Sequence, residues 1–396
     1  MSPSRPHGFI ASFMFLATFS GATIGMAKIV TTLYAMHLGA SPLQLGVISA
    51  MESLGMVLLT LPAGFVIARV GARRVYFLAS LGPLLLNLAI PLFAHWTWLA
   101  VARLLIGLCI PFRIVAMNSA FLRQLRHIGR DKAGWYRGAL TLGMGLLGPL
   151  LGNALSGGSF TLGFVVIGLC FGSMAVYSLG FWEHENPAET APEIDGGILA
   201  QSRALLGHAE VAESCLIELL SGATGALFGT FVIVLAMEVA HLSQERAVSL
   251  VMIQGLAAVL GLFSLGRLVT RAGRRLTYLA GLGLAVTGLL LLGRGQGYAW
   301  LAAGAVLLSV ASALAHLVNM ARMSDSPLDK SKLSGLFNLA GMLGGCTGAL
   351  LGGVISHWIG TANLFLAWTP LVLLTALFCW LRHVRRGTTP VIVVEG

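Results

Sequence analysis

Twelve stretches of this chain are apolar for about the length a helix needs to cross a hydrocarbon layer of ~30 Å, and that repetition leaves few folds open. They run approximately Phe9 to Met36, Leu43 to Ile67, Val75 to Phe93, Trp98 to Met117, Ala133 to Leu155 and Phe160 to Phe181. After a polar interval come Leu216 to Met237, Val248 to Leu268, Leu276 to Leu292, Ala299 to Met320, Leu333 to Ile355 and Thr361 to Leu381. Lipid offers a backbone no partner, so such runs close their hydrogen bonds internally as helices. Only 10% of the 396 residues are charged, whereas a soluble domain carries roughly 25%. That shortage excludes a water-soluble enzyme, a disordered chain and a disulfide scaffold. The expected fold class is an all-α membrane protein with twelve transmembrane helices. The first run carries Lys28, is long for a signal peptide, and has no small-residue cleavage site after it, so it reads as a span.

The net charge of +10 would raise the question of nucleic acid in a soluble protein. Here position decides otherwise. Twenty of the 25 Lys and Arg residues fall in the connections of one side, among them Arg69, Arg73, Arg74, Arg271 and Arg275. The positive-inside rule then makes that side, with both termini, cytoplasmic, and the protein a multi-pass component of a bacterial inner membrane. The longest polar stretch carries Glu183, Glu185, Glu189, Glu193 and Asp195 and reads as a linker over 186–209. It would divide the chain into a six-helix bundle over 1–185 and a second over 210–396. The five cysteines (Cys109, Cys170, Cys215, Cys346, Cys379) lie in apolar runs and read as small hydrophobes.

The two halves share a pattern. Gly64, Arg69, Gly71 and Arg73 follow the second run, and Gly266, Arg271, Gly273 and Arg275 follow the eighth, displaced by 202 residues. Gly148, Pro149 and Gly152 in the fifth run align with Gly348, Ala349 and Gly352 in the eleventh at 200, and Arg113 aligns with His316 at 203. Duplicated bundles are how many secondary transporters build a central site that opens alternately to two sides.

These residues carry a resemblance. Gly64, Arg69, Gly71, Arg73 and Arg74 resemble the G-x-x-x-D-[RK]-x-G-x-R-[RK] signature between the second and third helices of the major facilitator superfamily, with Ala68 in place of the acidic residue and Thr270 at the equivalent place in the second copy. Arg103 with Gly107 is similar to that family's fourth-helix R-x-x-x-G pattern, whose Arg is linked to proton coupling. Gly148, Pro149 and Gly152 resemble the fifth-helix G-P-x-x-G-G signature of its antiporters, with Asn153 in place of the last Gly. The resemblance implies two six-helix pseudo-repeats that rock around a central cavity, with the glycines and arginines of these motifs taking part in the conformational switch.

Charges kept at mid-membrane cost at least ~2.5 kcal/mol each, so they usually face a cavity or one another. Lys28 and Glu52 fall at similar depth on adjacent antiparallel helices and are expected to form an ion pair, as a proton switch or as a structural pair. Arg103 joins them as a proton-coupling candidate. Arg113, Asn118, His316 and Asn319 are expected to line a substrate cavity, with snorkelling an alternative for Arg113. Glu213 and Glu218 read as interfacial. Gly143, Gly145 and Gly148 satisfy GxGxxG, but inside an apolar helix with no strand before it the match does not mark a dinucleotide site. The sequence carries no phosphate-binding loop, zinc pattern or hydrolase elbow, so no enzyme, cofactor or metal is expected and transport must draw on a gradient. The expected partners are protons, lipid and a small-molecule solute, with no nucleic acid, and the protein is expected to be a monomer. The expected function is proton-coupled export of a drug-like compound or an endogenous metabolite such as a siderophore. Import of a small anionic or zwitterionic solute, and a non-transporting membrane sensor, are the alternatives.

Overall fold

The computed structural model describes residues 6–128, 135–181, 198–295, 297–324 and 330–387. Among them every regular element is a helix, and twelve helices are long and apolar enough to span a membrane. They are α1 (Pro6–His37), α2 (Pro42–Val70), α3 (Ala72–Ala89), α4 (Trp96–Ile128), α5 (135–156) and α6 (Phe160–Phe181). A short helix, Ile198–Gly207, precedes α7 (Ala209–Val234), α8 (Gln244–Ser264), α9 (Gly266–Arg294), α10 (Tyr298–Ser324), α11 (Lys330–Ile359) and α12 (Thr361–Gly387).

The start of α2 shows how the sequence sets an end. Gly39 takes φ 71° to turn the chain after α1. Ser41 and Gln44 then cap each other reciprocally, with Pro42 in the first turn. The α2–α3 junction turns at Gly71, with φ 93° and ψ 142°. Its counterpart inside α9 is Gly273, with φ 75° and ψ 164°, where the chain again breaks helical geometry. Only glycine adopts that region without strain. The repeat at 202 residues is thus a repeat of backbone conformation.

Packing repeats in the same way. The pairs α1–α5, α2–α4, α3–α4 and α3–α6 recur six helices later as α7–α11, α8–α10, α9–α10 and α9–α12. The two sets meet along α2–α11 and α5–α8, which also exchange under that shift. Leu85, Trp358 and Leu374 are exposed on the flanks, as expected where lipid is the solvent. Some helices outrun the apolar runs that signal them: α4 continues to Ile128 and α10 to Ser324, both into polar sequence on the basic side.

Candidate functional site

A chamber of about 270 Å³ lies where the two sets meet. It is lined by α1 (Lys28, Thr31), α2 (Ser49, Glu52), α4 (Arg103), α5 (Thr141, Met144, Pro149), α7 (Gly225, Thr230), α8 (Val251, Gln254) and α11 (Gly345, Ala349). Both halves therefore contribute wall.

Glu52 is ion-paired and hydrogen-bonded to Arg103, which donates from Nη2 to Oε2. Both groups are almost wholly buried. The expected partner of Glu52 was Lys28, and the structure corrects this: no ion pair joins Lys28 to Glu52, and Lys28 is exposed into the chamber. The reason lies in how closely α2 and α4 approach. A Cβ on Gly107 would run into the Glu52 carbonyl oxygen, and one on Gly55 would strike the Leu104 carbonyl oxygen. Arg103 is one turn before Gly107, so the glycine that lets the backbones touch also lays the guanidinium on Glu52.

Contacts between the halves flank the chamber on two sides. Toward the face that carries the α1–α2 turn, a Cβ on Gly46 would lie 2.8 Å from the Gly353 Cα, and the Gln244 amide donates to Asn153 Oδ1 at 2.9 Å and Ser156 Oγ at 3.3 Å. Toward the basic face, Thr60 Oγ1 lies 3.3 Å from Met342 Sδ, and Gly138 packs against the Phe263 ring. Along α2 the chamber residues 48–56 fall between Gly46 and Thr60.

In α5 a π-helical turn, Gly143–Leu147, precedes Gly148 and Pro149. Such turns displace the residues around them. Met144, Gly145 and Pro149 face the chamber at this break. The expected switch glycines Gly148 and Gly152 lie against α1: a Cβ on Gly148 would lie 2.6 Å from the Ala22 carbonyl oxygen, and one on Gly152 3.1 Å from the Ile29 Cβ.

The sequence matches the Major Facilitator Superfamily over residues 9–208 and 214–393. The chain belongs to the major facilitator superfamily. It is an integral, multi-pass membrane protein with a transporter fold. No curated protein matches it by sequence. Its fold is similar to a crystal structure of a mutant of the nucleoside transporter NupG, with a TM-score of 0.83 at 13% identity over 94% of this chain and 99% of that one. A bacterial homologue of the human lysosomal transporter Spinster, inward-facing and unoccupied, gives 0.75 at 15% over 96% and 97%. The human organic anion transporter TETRAN gives 0.65 at 17% over 96% and 100%.

In this superfamily member, the other residues expected at the cavity go elsewhere. Arg113 is 2% exposed and sits within the first half. It donates to Ser80 Oγ at 2.9 Å and Tyr76 Oη at 3.0 Å on α3, and its guanidinium lies 4.5 Å from the Phe171 ring on α6. Ten residues of helix turn it about 80° away from Arg103, which is enough to change neighbours. Asn319 is buried in the second half, accepting from Tyr278 Oη at 2.8 Å and donating to the Ser214 carbonyl at 3.4 Å. His316 lies 3.5 Å from Glu218, beside the Phe337 ring. Asn118 lies on α4 and Gly64 on α2, and the side chain of the one and the surroundings of the other are outside what the structure describes. Arg69, Arg74, Arg271 and Arg275 are exposed on the basic face and Arg73 is half-buried. Glu213 and Glu218, expected at the interface, are drawn inward: Glu213 is buried and bonds Arg322 at 2.8 Å. Tyr76 and Tyr278, which hold Arg113 and Asn319 away from the chamber, stand 202 apart, the displacement that relates Gly71 to Gly273, and that spacing is the signal in the sequence that could have found them.

Proposed function

We propose that this chain is a proton-coupled secondary transporter that exports a small organic solute by alternating access. The observation that carries this reading is the buried Glu52–Arg103 pair in the wall of a chamber built by both halves. Residues 1–185 and 210–396 would rock about the α2–α11 and α5–α8 seams, with both termini cytoplasmic. A carboxylate that loses its cation inside a membrane is stabilised by taking up a proton. A solute that draws the Arg103 guanidinium off Glu52 as the seams part therefore couples its own passage to that of a proton. The export direction is supported by the likeness of Gly148, Pro149 and Gly152 to the antiporter signature. The basic residues gathered on one face support placement in a bacterial inner membrane. The solute is then taken from the cytoplasm, as a drug-like compound or as an endogenous metabolite.

One observation favours import as a second reading. Lys28, Arg103 and Glu52 leave the chamber with a net charge of +1, and protonating Glu52 would draw an anion in together with the proton. Reconstitution into proteoliposomes with an imposed pH gradient tests both. Export by exchange predicts solute moving against the proton flow, and import predicts solute moving with it. Glu52→Gln is expected to remove the dependence on the gradient. Gradient-driven flux that survives Glu52→Gln overturns the proton role.

A further inference from the structure

We infer that Lys28 and Thr31 form the anchor for a carboxylate group, and that the solute is a small organic monoanion with an apolar body. This rests on the reading of the chain as a transporter but on neither direction. Three charged side chains line the chamber, and two of them neutralise each other. Lys28 takes part in no ion pair among the described residues and is exposed to the chamber. An ammonium retained mid-membrane without a counterion is costly, and an anion from outside the chain removes that cost.

The second observation is independent of charge. Threonines in apolar helices usually turn their hydroxyl back to the carbonyl four residues earlier. Thr23, Thr32 and Thr224 do so, on Phe19, Lys28 and Leu220. Thr31 does not: it is 6% exposed, and its Oγ1 has no partner. It lies three residues after Lys28, on the same face of α1, and lines the same chamber. A carboxylate has two oxygens, one for the ammonium and one for this hydroxyl.

Charge and size narrow the class. A phosphate monoester carries about −1.5 to −2 at neutral pH, more than a +1 chamber neutralises, whereas a carboxylate matches it. The volume of about 270 Å³ is close to the ~300 Å³ at which drug-sized pockets begin, which fits a small organic acid. Ile29, Met56, Met144 and Val251 supply apolar wall for its body.

The test uses the purified full chain in detergent, with benzoate, hexanoate and indoleacetate against their neutral amides and against benzylamine. The carboxylates are expected to raise the melting temperature in proportion to concentration, and the amides and the amine are not. Lys28→Gln should weaken carboxylate binding about tenfold or more, Lys28→Arg much less, and Thr31→Val about threefold. In the unaltered protein, which requires no variant to fold, the carboxylates should protect Lys28 from a small amine-reactive reagent, read by peptide mass spectrometry. Equal stabilisation by amides or benzylamine, undiminished binding by Lys28→Gln, or no effect of any carboxylate overturns the inference. Carboxylate binding without gradient-driven flux would sink the transport reading and leave the anchor standing. Gradient-driven flux of neutral solutes alone would do the reverse.

Discussion

Arg103 is buried against a carboxylate, whereas Arg113 is buried among a tyrosine, a serine, a methionine and an aromatic ring. The two should therefore answer differently to substitution. Removing one partner of a buried pair strands the other charge, at about 3–5 kcal/mol. Glu52→Ala is thus expected to lower the melting temperature in detergent, and Glu52→Gln with Arg103→Gln to recover most of it while gradient-driven flux stays lost. Recovery of flux in the double variant would show the pair to be structural. Arg113→Met replaces a guanidinium that has no carboxylate partner among the described residues by an apolar side chain of similar reach, which removes the cost of burying that charge. It should keep both melting temperature and flux, while Arg113→Ala leaves a hole and costs about 2–5 kcal/mol. That these residues are membrane-embedded charges was legible from composition alone. Which of them meet was not, because that depends on helix rotation and on how near two backbones come. For Glu52 the deciding residue was Gly107, four after Arg103, whose spacing was visible and whose consequence was not.

All twelve spans were legible, since lipid imposes one length and one secondary structure on any segment that crosses it. Less legible were the places where a helix departs from regularity. The π-helical turns at Gly143–Leu147 in α5 and at Leu235–Val239 after α7 follow from tertiary packing and leave no periodic trace. The break inside α9 was signalled only by the likeness of its sequence to the α2–α3 junction. If the two junctions are equivalent elements, alanine should damage both to a similar extent. Gly71 and Gly273 hold conformations that cost a residue with a Cβ about 1–3 kcal/mol. Gly71→Ala and Gly273→Ala are each expected to lower the melting temperature, whereas Gly207→Ala, at a helical glycine with no positive φ and open space around it, should not. A Gly273→Ala protein as stable as the unaltered chain would show that the second junction tolerates helical geometry and that the repeat is one of sequence only.

At the scale of the molecule, alternation requires that the two seams open in turn, and the chamber lies between the contacts that would have to part. Toward the α1–α2 turn the gate is Gly46 against Gly353 and Asn153 against Gln244; toward the basic face it is Thr60 against Met342 and Gly138 against Phe263. Because α2–α11 and α5–α8 exchange under the internal repeat, each face is closed by one contact from each seam, and fixing a single contact is enough to hold a face shut. In a background with the native cysteines replaced, Asn153→Cys with Gln244→Cys and, separately, Thr60→Cys with Met342→Cys can each be joined by a short thiol-specific cross-linker. Both cross-links are expected to stop flux in proteoliposomes, and cleavage of the linker to restore it. They should differ in what they leave open. With 153 joined to 244, a small thiol reagent should reach a reporter Cys at Ser49 only from the basic face, and with 60 joined to 342 only from the other. Flux that continues with either face cross-linked would mean that solute passes without the halves parting, and the chamber would then be a channel rather than an alternating site.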